Sequence, residues 1–276
     1  MSLNLDARQR AMLREMGVPM WEPAPRVAAA QVPQSHPKPA SVSRPARAAQ
    51  PAPASAALMP TPVAQTVDTS QLDWVALQAA VANCRACALC QRRKHTVFGV
   101  GPASASAEQA PQVDWMVVGE GPGEQEDLSG EPFVGPAGQL LDNMLKAIGL
   151  QRRGLGGAGV YIANVVKCRP PGNRNPEPAE IAQCAPYLQR QIELLRPRII
   201  LAMGRFAAHA LLGSVEPLGK LRGQVHHYAG TPVIATYHPA YLLRNLPEKA
   251  KAWADLQLAR KTLAHLSAPG VDQSLP

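Results

Sequence analysis

Val113-Asp-Trp-Met-Val-Val118 runs straight into Gly119-Glu-Gly-Pro-Gly123, and that junction decides the fold. A short apolar run bounded by turn residues reads as a buried strand of the kind found in parallel sheets. A strand that ends in glycines brings bare backbone up to a ligand. Yet the stretch that follows is acidic, with Glu120, Glu124, Glu126, Asp127 and Glu131 before Gly135. A loop built to cradle phosphate would not carry such charge. No Lys-Ser or Lys-Thr follows the glycines, as a P-loop requires. A nucleotide enzyme gripping phosphate here is disfavoured.

Outward from this junction, strands and helices alternate. The pattern predicts a helix over 137–150, a strand over 160–166, a helix over 178–195 and a strand over 198–203. A helix over 205–212 follows, then short strands at 225–228 and 232–237 divided by Gly230-Thr-Pro, and a last helix over 248–265. Upstream, Leu72, Val75, Leu77 and Val81 mark a helix that opens the folded part near Ser70. Such alternation implies a mostly parallel sheet with helices on both faces. Ligands of these sheets sit at the carboxyl ends of the strands. Gly119–Gly123, Asn164–Arg174 and His238–Arg244 all fall there.

The first quarter of the chain differs in kind. From Pro23 to Thr66 it is Pro, Ala, Ser and Gln with scattered cations, too poor in apolar surface to offset the entropy of ordering. We read 23–69 as a disordered linker, 70–267 as one folded domain and 268–276 as a flexible tail. Within residues 1–22, Met12, Leu13 and Met16 followed by Gly17 mark a short amphipathic helix, read as a docking peptide over 5–21. The 276 residues carry a net charge of +8, which suits a polyanionic partner. Neither a signal peptide nor an apolar span long enough to cross a bilayer is present in the sequence, so a cytoplasmic monomer with no membrane contact is expected.

In that setting five cysteines read as metal ligands or bystanders rather than disulfides. Cys84-Arg-Ala-Cys87 is a half-site spacing, with Cys90 close by and Cys168 and Cys184 far downstream. A lone cysteine is more often core filler. A CxxC pair favours a metal, although spacing separates neither zinc from an iron–sulfur cluster nor the spare cysteine from the ligands.

At the convergent edge, His238 follows a strand, where an imidazole can donate to a developing anion. Asn164 stands at an equivalent strand end, and its amide suits reading a nucleobase edge. Leu242 and Leu243 beside Arg244 read either as a helix start or as a wedge that enters a base stack with a phosphate anchor. Lys167, Arg169 and Arg174 are candidate phosphate contacts. Phe133, one of only three phenylalanines, can stack on a flat ring or plug the core.

Together Gly119-Glu-Gly-Pro-Gly-Glu-Gln-Glu-Asp127, Gly130-Glu-Pro-Phe-Val-Gly135, Asn164-Val-Val-Lys-Cys-Arg-Pro-Pro171 and His238-Pro-Ala-Tyr-Leu-Leu-Arg244 resemble the family 4 uracil-DNA glycosylases. The resemblance runs from about Cys84 to the last helix. It implies a three-layer α/β/α sandwich around a mostly parallel sheet. It also implies hydrolytic removal of uracil from single- or double-stranded DNA, leaving an abasic site for base excision repair. Cys84, Cys87, Cys168 and Cys184 fall where that family holds a [4Fe–4S] cluster, which leaves Cys90 a bystander and zinc the lesser alternative.

The same resemblance implies roles. Phe133 stacks on the flipped base, Asn164 reads its edge, and His238 stabilises charge on the departing uracil. Leu242, with Leu243 second, fills the vacated stack. Other uracil glycosylases place an Asp where Gly121 stands here, so the group that activates water falls to Glu120 or to Glu126, the latter paired with Asn173. A replication or repair protein is the expected partner of residues 5–21. The competing reading is a non-catalytic iron–sulfur module that binds or senses damaged DNA.

Overall fold

The computed structural model describes residues 68–102, 110–111, 113–154 and 158–267. The expected docking helix and the tail lie outside the described residues, as does all but the end of the expected linker. That end is already folded. Thr69 is buried and its hydroxyl donates to the Pro186 carbonyl at 3.1 Å, so the domain begins ahead of Ser70.

The central strands are β1 (Trp115–Gly119), β2 (Val160–Asn164), β3 (Ile199–Met203) and β5 (Thr231–Thr236), with a short β4 (His226–Tyr228) between the last two in sequence. The sheet order is β2-β1-β3-β5-β4, parallel except for the β4 edge. Every residue of β1, β2 and β3 is buried, which explains their unbroken apolar runs. Successive side chains point to opposite faces. Met116 and Val118 therefore pack with one set of helices while Trp115 and Val117 pack with another.

On the Met116 face lie α4 (Pro178–Leu195), through Leu188, Ile192 and Leu195, and α5 (Arg205–Leu212), through Ala207, Ala208 and Leu211. On the Trp115 face lie α3 (Pro136–Ala147), through Leu141 and Leu145, and α8 (Lys249–Ser267), through Leu256 and Ala259. This is the three-layer sandwich the sequence implies. The opening helix α1 (Trp74–Asn83) packs Leu77 and Val81 on Tyr187 of α4.

Three short helices complete the domain: α2 (Glu124–Ser129), α6 (Leu218–Leu221) and α7 (Pro239–Arg244). The first lies inside the stretch that reads as an acidic loop.

Register sets the edge on which these segments meet. Gly119 pairs with Asn164, Val118 with Ala202, and Met203 with Thr236. The ends of β1, β2, β3 and β5 are thus level, and Gly119, Asn164, Gly204 and His238 leave the sheet together. From β1 the chain passes to β2 on one side and then to β3 on the other. Such a switch point opens a crevice beyond the strand ends.

Candidate active site

Two glycines make room for the site. A Cβ on Gly119 would come within 2.4 Å of the Asn164 Oδ1 and 2.6 Å of the Phe133 ring. A Cβ on Gly138, in α3, would fall 1.6 Å from the Phe133 carbonyl oxygen. Phe133 itself has φ of 55°, a left-handed backbone that a bulky residue rarely holds.

Arg152 supplies the restraint. Its guanidinium donates to the Pro132 carbonyl at 2.6 Å and to that of Phe133, while its Nε is tied to Asp142 at 2.6 Å. Phe133 is held with its ring stacked on His238, centroids 5.3 Å apart and planes at 27°.

Asn164 is buried, and its Oδ1 has no hydrogen-bond partner among the described residues. Such an orphan acceptor costs about 1–3 kcal/mol unless a ligand satisfies it. Its backbone is the opposite case, because the Asn164 carbonyl accepts from Lys167 Nζ at 2.9 Å.

His238 caps α7, and its Nδ1 accepts from the Ala240 N–H at 3.2 Å. The neutral ring therefore carries its proton on Nε2. Burial, with the Arg244 charge second, lowers the imidazole pKa to about 4 against the pull of Glu126. At neutral pH this histidine is an uncharged donor.

The acidic stretch is mostly committed to structure. Glu126 Oε2 accepts from the Gly123 N–H at 3.0 Å, and its Oε1 accepts from Val134 and Gly135 at 2.9 and 3.2 Å. Asp127 is buried and accepts from the Lys94 N–H at 2.9 Å. Both stand in the first turn of α2, where carboxylates suit the helix dipole. Glu131 and Glu124 pair with Arg153 and Arg169 on the surface.

Glu120 differs. It lines the cavity, no described residue hydrogen-bonds its carboxylate, and burial raises its pKa against the opposing effect of Arg205. The expected pairing of Glu126 with Asn173 is not formed. Glu126 is saturated by backbone, and Asn173 Oδ1 accepts instead from Arg169 Nε at 2.7 Å.

Phe133, Asn164, His238, Glu120, Gly121 and Glu126 all border one cavity of about 990 Å³, whose wall also includes Asn173, Arg174 and Arg244. A Cβ at Gly121 would press on the Val166 side chain at 2.7 Å, so this backbone admits no Asp there without shifting.

Three other expectations need correction. Leu242 is only 1% exposed and belongs to the interior, whereas Leu243 is 43% exposed, so only the second can act as a wedge. Lys167 is 2% exposed, with its ammonium given to Asn164 O and to Gln191 Oε1 at 2.6 Å, and cannot reach a phosphate. Arg174 is tied to Glu180 through two hydrogen bonds of 2.7 and 2.9 Å. Arg244 remains an exposed cation with no carboxylate partner among the described residues.

Behind the sheet edge, Cys84, Cys87, Cys168 and Cys184 are free thiols that feel one another's charge. Burial pushes Cys168 up to about 11 and Cys184 up to about 12. Arg93 donates to Cys168 Sγ at 3.2 Å and the Lys167 N–H to Cys184 Sγ at 3.5 Å, the kind of N–H···S support that a thiolate-bound centre uses. Among the described residues no three His, Cys, Asp or Glu side chains are close enough to share one ion. A donor set of thiolates alone is the kind that holds zinc or an iron–sulfur cluster.

Sequence alone gave no sign of Arg152, whose partners Pro132, Phe133 and Asp142 lie 10 to 20 residues upstream with no fixed periodicity to link them. Gly119 was legible as a strand-end glycine at the ligand edge, but not as the space that Asn164 and Phe133 occupy. The Gly123-x-x-Glu126 spacing is a helix-cap signal that was open to reading.

Comparison with known proteins bears on this geometry. Residues 107–257, more than half of the chain, match the family model for the uracil DNA glycosylase superfamily. A type-4 uracil-DNA glycosylase of Archaeoglobus fulgidus is 42% identical over 171 residues, 59% of this chain and 79% of that protein. One from Thermotoga maritima is 43% identical over 167 residues, 60% of this chain and 80% of its own length. A type-5 enzyme of Pyrobaculum aerophilum is 36% identical over 140 residues, 46% of this chain and 61% of that one. The matched span contains the strand ends, Phe133, Asn164 and His238, so cavity and sequence agree: the chain belongs to the uracil DNA glycosylase superfamily.

Proposed function

We propose that the protein is a DNA repair glycosylase that hydrolyses the bond between uracil and deoxyribose. One observation carries the reading: a buried Asn164 Oδ1 without a partner, facing a cavity floored by an aromatic ring. Uracil presents an N3–H to such an acceptor, whereas cytosine presents a lone pair. Discrimination by a buried polar group left unpaired is strong. Phe133 stacks on the ring, and base flipping costs roughly a few kcal/mol, less at a mismatch.

As the N1–C1′ bond breaks, its electron pair passes to uracil and charge grows on O2. The Nε2–H of neutral His238 donates there, as a preorganised donor aimed at the developing charge. Water then adds its oxygen to C1′, and its proton leaves to a base. Glu120 is the cavity carboxylate whose oxygens are not spent, and its raised pKa suits that role. Glu126 acts at one remove, by holding the backbone of Gly123, Val134 and Gly135. Leu243 fills the vacated stack, with Arg244 on a phosphate.

Cys84, Cys87, Cys168 and Cys184 would hold a [4Fe–4S] cluster, which when bound supplies a charged cross-link between α1, α4 and the loop after β2. Free thiols of this kind suit a reducing compartment.

Incubating the protein with single- and double-stranded oligonucleotides that carry one uracil, then heating in alkali, tests the proposal. Strand breaks at the uracil position, with none at thymine or cytosine, are expected. DNA binding without breaks overturns the enzyme reading.

A further inference from the structure

The cavity is several times larger than a pyrimidine needs, near the upper limit for pockets that hold whole drug-sized ligands. Phe133, Asn164 and His238 cluster on its wall, through the close approach at Gly119 and the Phe133–His238 stack. Tyr241 lines the same cavity. The residue is 37% exposed, and its ring packs on Tyr237 with centroids 5.0 Å apart and planes at 29°.

That pair is backed from the interior. Arg222 lies 4.3 Å over the Tyr237 ring and is fixed by Asp255 at 2.7 Å, which also accepts from Thr236 at 2.7 Å. Tyr241 is therefore an exposed aromatic face on a rigid base. No described residue hydrogen-bonds its hydroxyl. The same cavity wall carries Arg244 and Arg205, the latter 4.6 Å over the Phe206 ring.

An aromatic face joined to cations is how proteins hold single-stranded nucleic acid without reading its sequence. The cavity is the one that Asn164 and His238 line, and Tyr241 shares the short helix α7 with the exposed wedge Leu243. The occupant is thus the same DNA strand.

We propose that Tyr241 is a stacking platform for the nucleobase adjacent to the flipped uracil, with Arg205 and Arg244 on the flanking phosphates. The inference rests on the glycosylase reading for its substrate. It adds a second subsite that selects for extended strand over free nucleoside.

The test uses single-stranded oligonucleotides with one uracil, in which each neighbouring base in turn is replaced by a tetrahydrofuran residue. Both kcat/KM for excision and Kd by fluorescence anisotropy are measured for the full chain and for Tyr241→Ala, Tyr241→Leu and Tyr241→Phe. Removing one particular neighbour is expected to cost the unsubstituted protein about tenfold. Tyr241→Ala should cost a similar factor on the intact strand and lose nothing more when that base is absent. Tyr241→Leu, which keeps apolar packing on Tyr237, should behave like Tyr241→Ala, and Tyr241→Phe like the unsubstituted chain. Losses that multiply, or no neighbour that matters, would overturn the proposal. If the protein excises no uracil, the glycosylase reading fails, and the same coupling is then read from Kd alone.

Discussion

Asn164 and Cys168 lie one short turn of chain apart, yet they belong to opposite kinds of interior. At Asn164 a buried oxygen is left without a partner, the adjoining Phe133 is held in a costly backbone conformation, and His238 is kept neutral. Around Cys168 and Cys184 the polar groups are supplied: Arg93 and the Lys167 amide reach the sulfurs, and Lys167 Nζ is shared between Asn164 O and Gln191. Gln191 in turn donates to Phe98 O at 3.0 Å and to the Tyr161 hydroxyl at 3.2 Å. Unmet polarity and strain mark the place where a ligand enters, because only the ligand completes it. Completed polarity marks a frame.

That contrast breaks if the two regions respond alike. Asn164→Ala and His238→Ala should each lower kcat for uracil excision by roughly 10²–10³-fold while DNA affinity changes by a few fold at most. An equal loss in affinity would mean that the pair holds the strand rather than the transition state.

Cys184→Ala should do the reverse of a site mutation. We expect loss of the visible absorption of an iron–sulfur centre and a large fall in thermal midpoint, since a metal centre contributes folding energy. Retention of both would remove Cys184 from the ligand set.

Smaller effects separate the two positioning cations. Lys167→Met strands the Asn164 carbonyl and the Gln191 amide oxygen, at a cost of about 1–3 kcal/mol in unfolding free energy. Arg152→Ala releases Phe133 and should raise KM about tenfold with little change in midpoint, as a loss of base stacking requires. External guanidinium ion should restore part of it.

The smallest expected effects lie in pH dependence. Glu120 must be ionised to act on water, and burial raises its pKa above the ordinary 4.5. The acid limb of kcat/KM should therefore lie above that value and vanish in Glu120→Gln. His238 has a folded pKa of about 4 against 6.5 for an exposed imidazole. The unfolded chain binds the extra proton first, so the stability linked to His238 is full above about pH 6.5 and is lost as pH falls toward 4. The drop should flatten in His238→Asn, as read from thermal midpoints across that window.

Much of this was legible in the sequence. The runs at Trp115–Gly119, Val160–Asn164 and Ile199–Met203 announce buried parallel strands, and the glycines after Val118 place the site at their ends. Leu242 and Leu243 show where legibility stops. Adjacent residues on a helix point about 100° apart, and only packing reveals which one faces in. Lys167 reads as one more cation in a basic segment, but Gln191, far downstream on α4, gives its ammonium a buried partner. Glu126 reads as a candidate to activate water, whereas its carboxylate caps α2 and ties the segment before α3.

The sequence by itself determined the order of strands and helices, the edge at which Gly119, Asn164 and His238 leave the sheet, and the cysteines available to a cluster. Those follow from local periodicity and spacing, which the chain carries in its own order. Tertiary structure alone decided that Asn164 Oδ1 is orphaned, that Leu243 rather than Leu242 faces out, that Arg152 holds Phe133, and that Glu120 keeps the unspent carboxylate. Burial and partner choice are properties of the packed whole, and groups distant in sequence determine them.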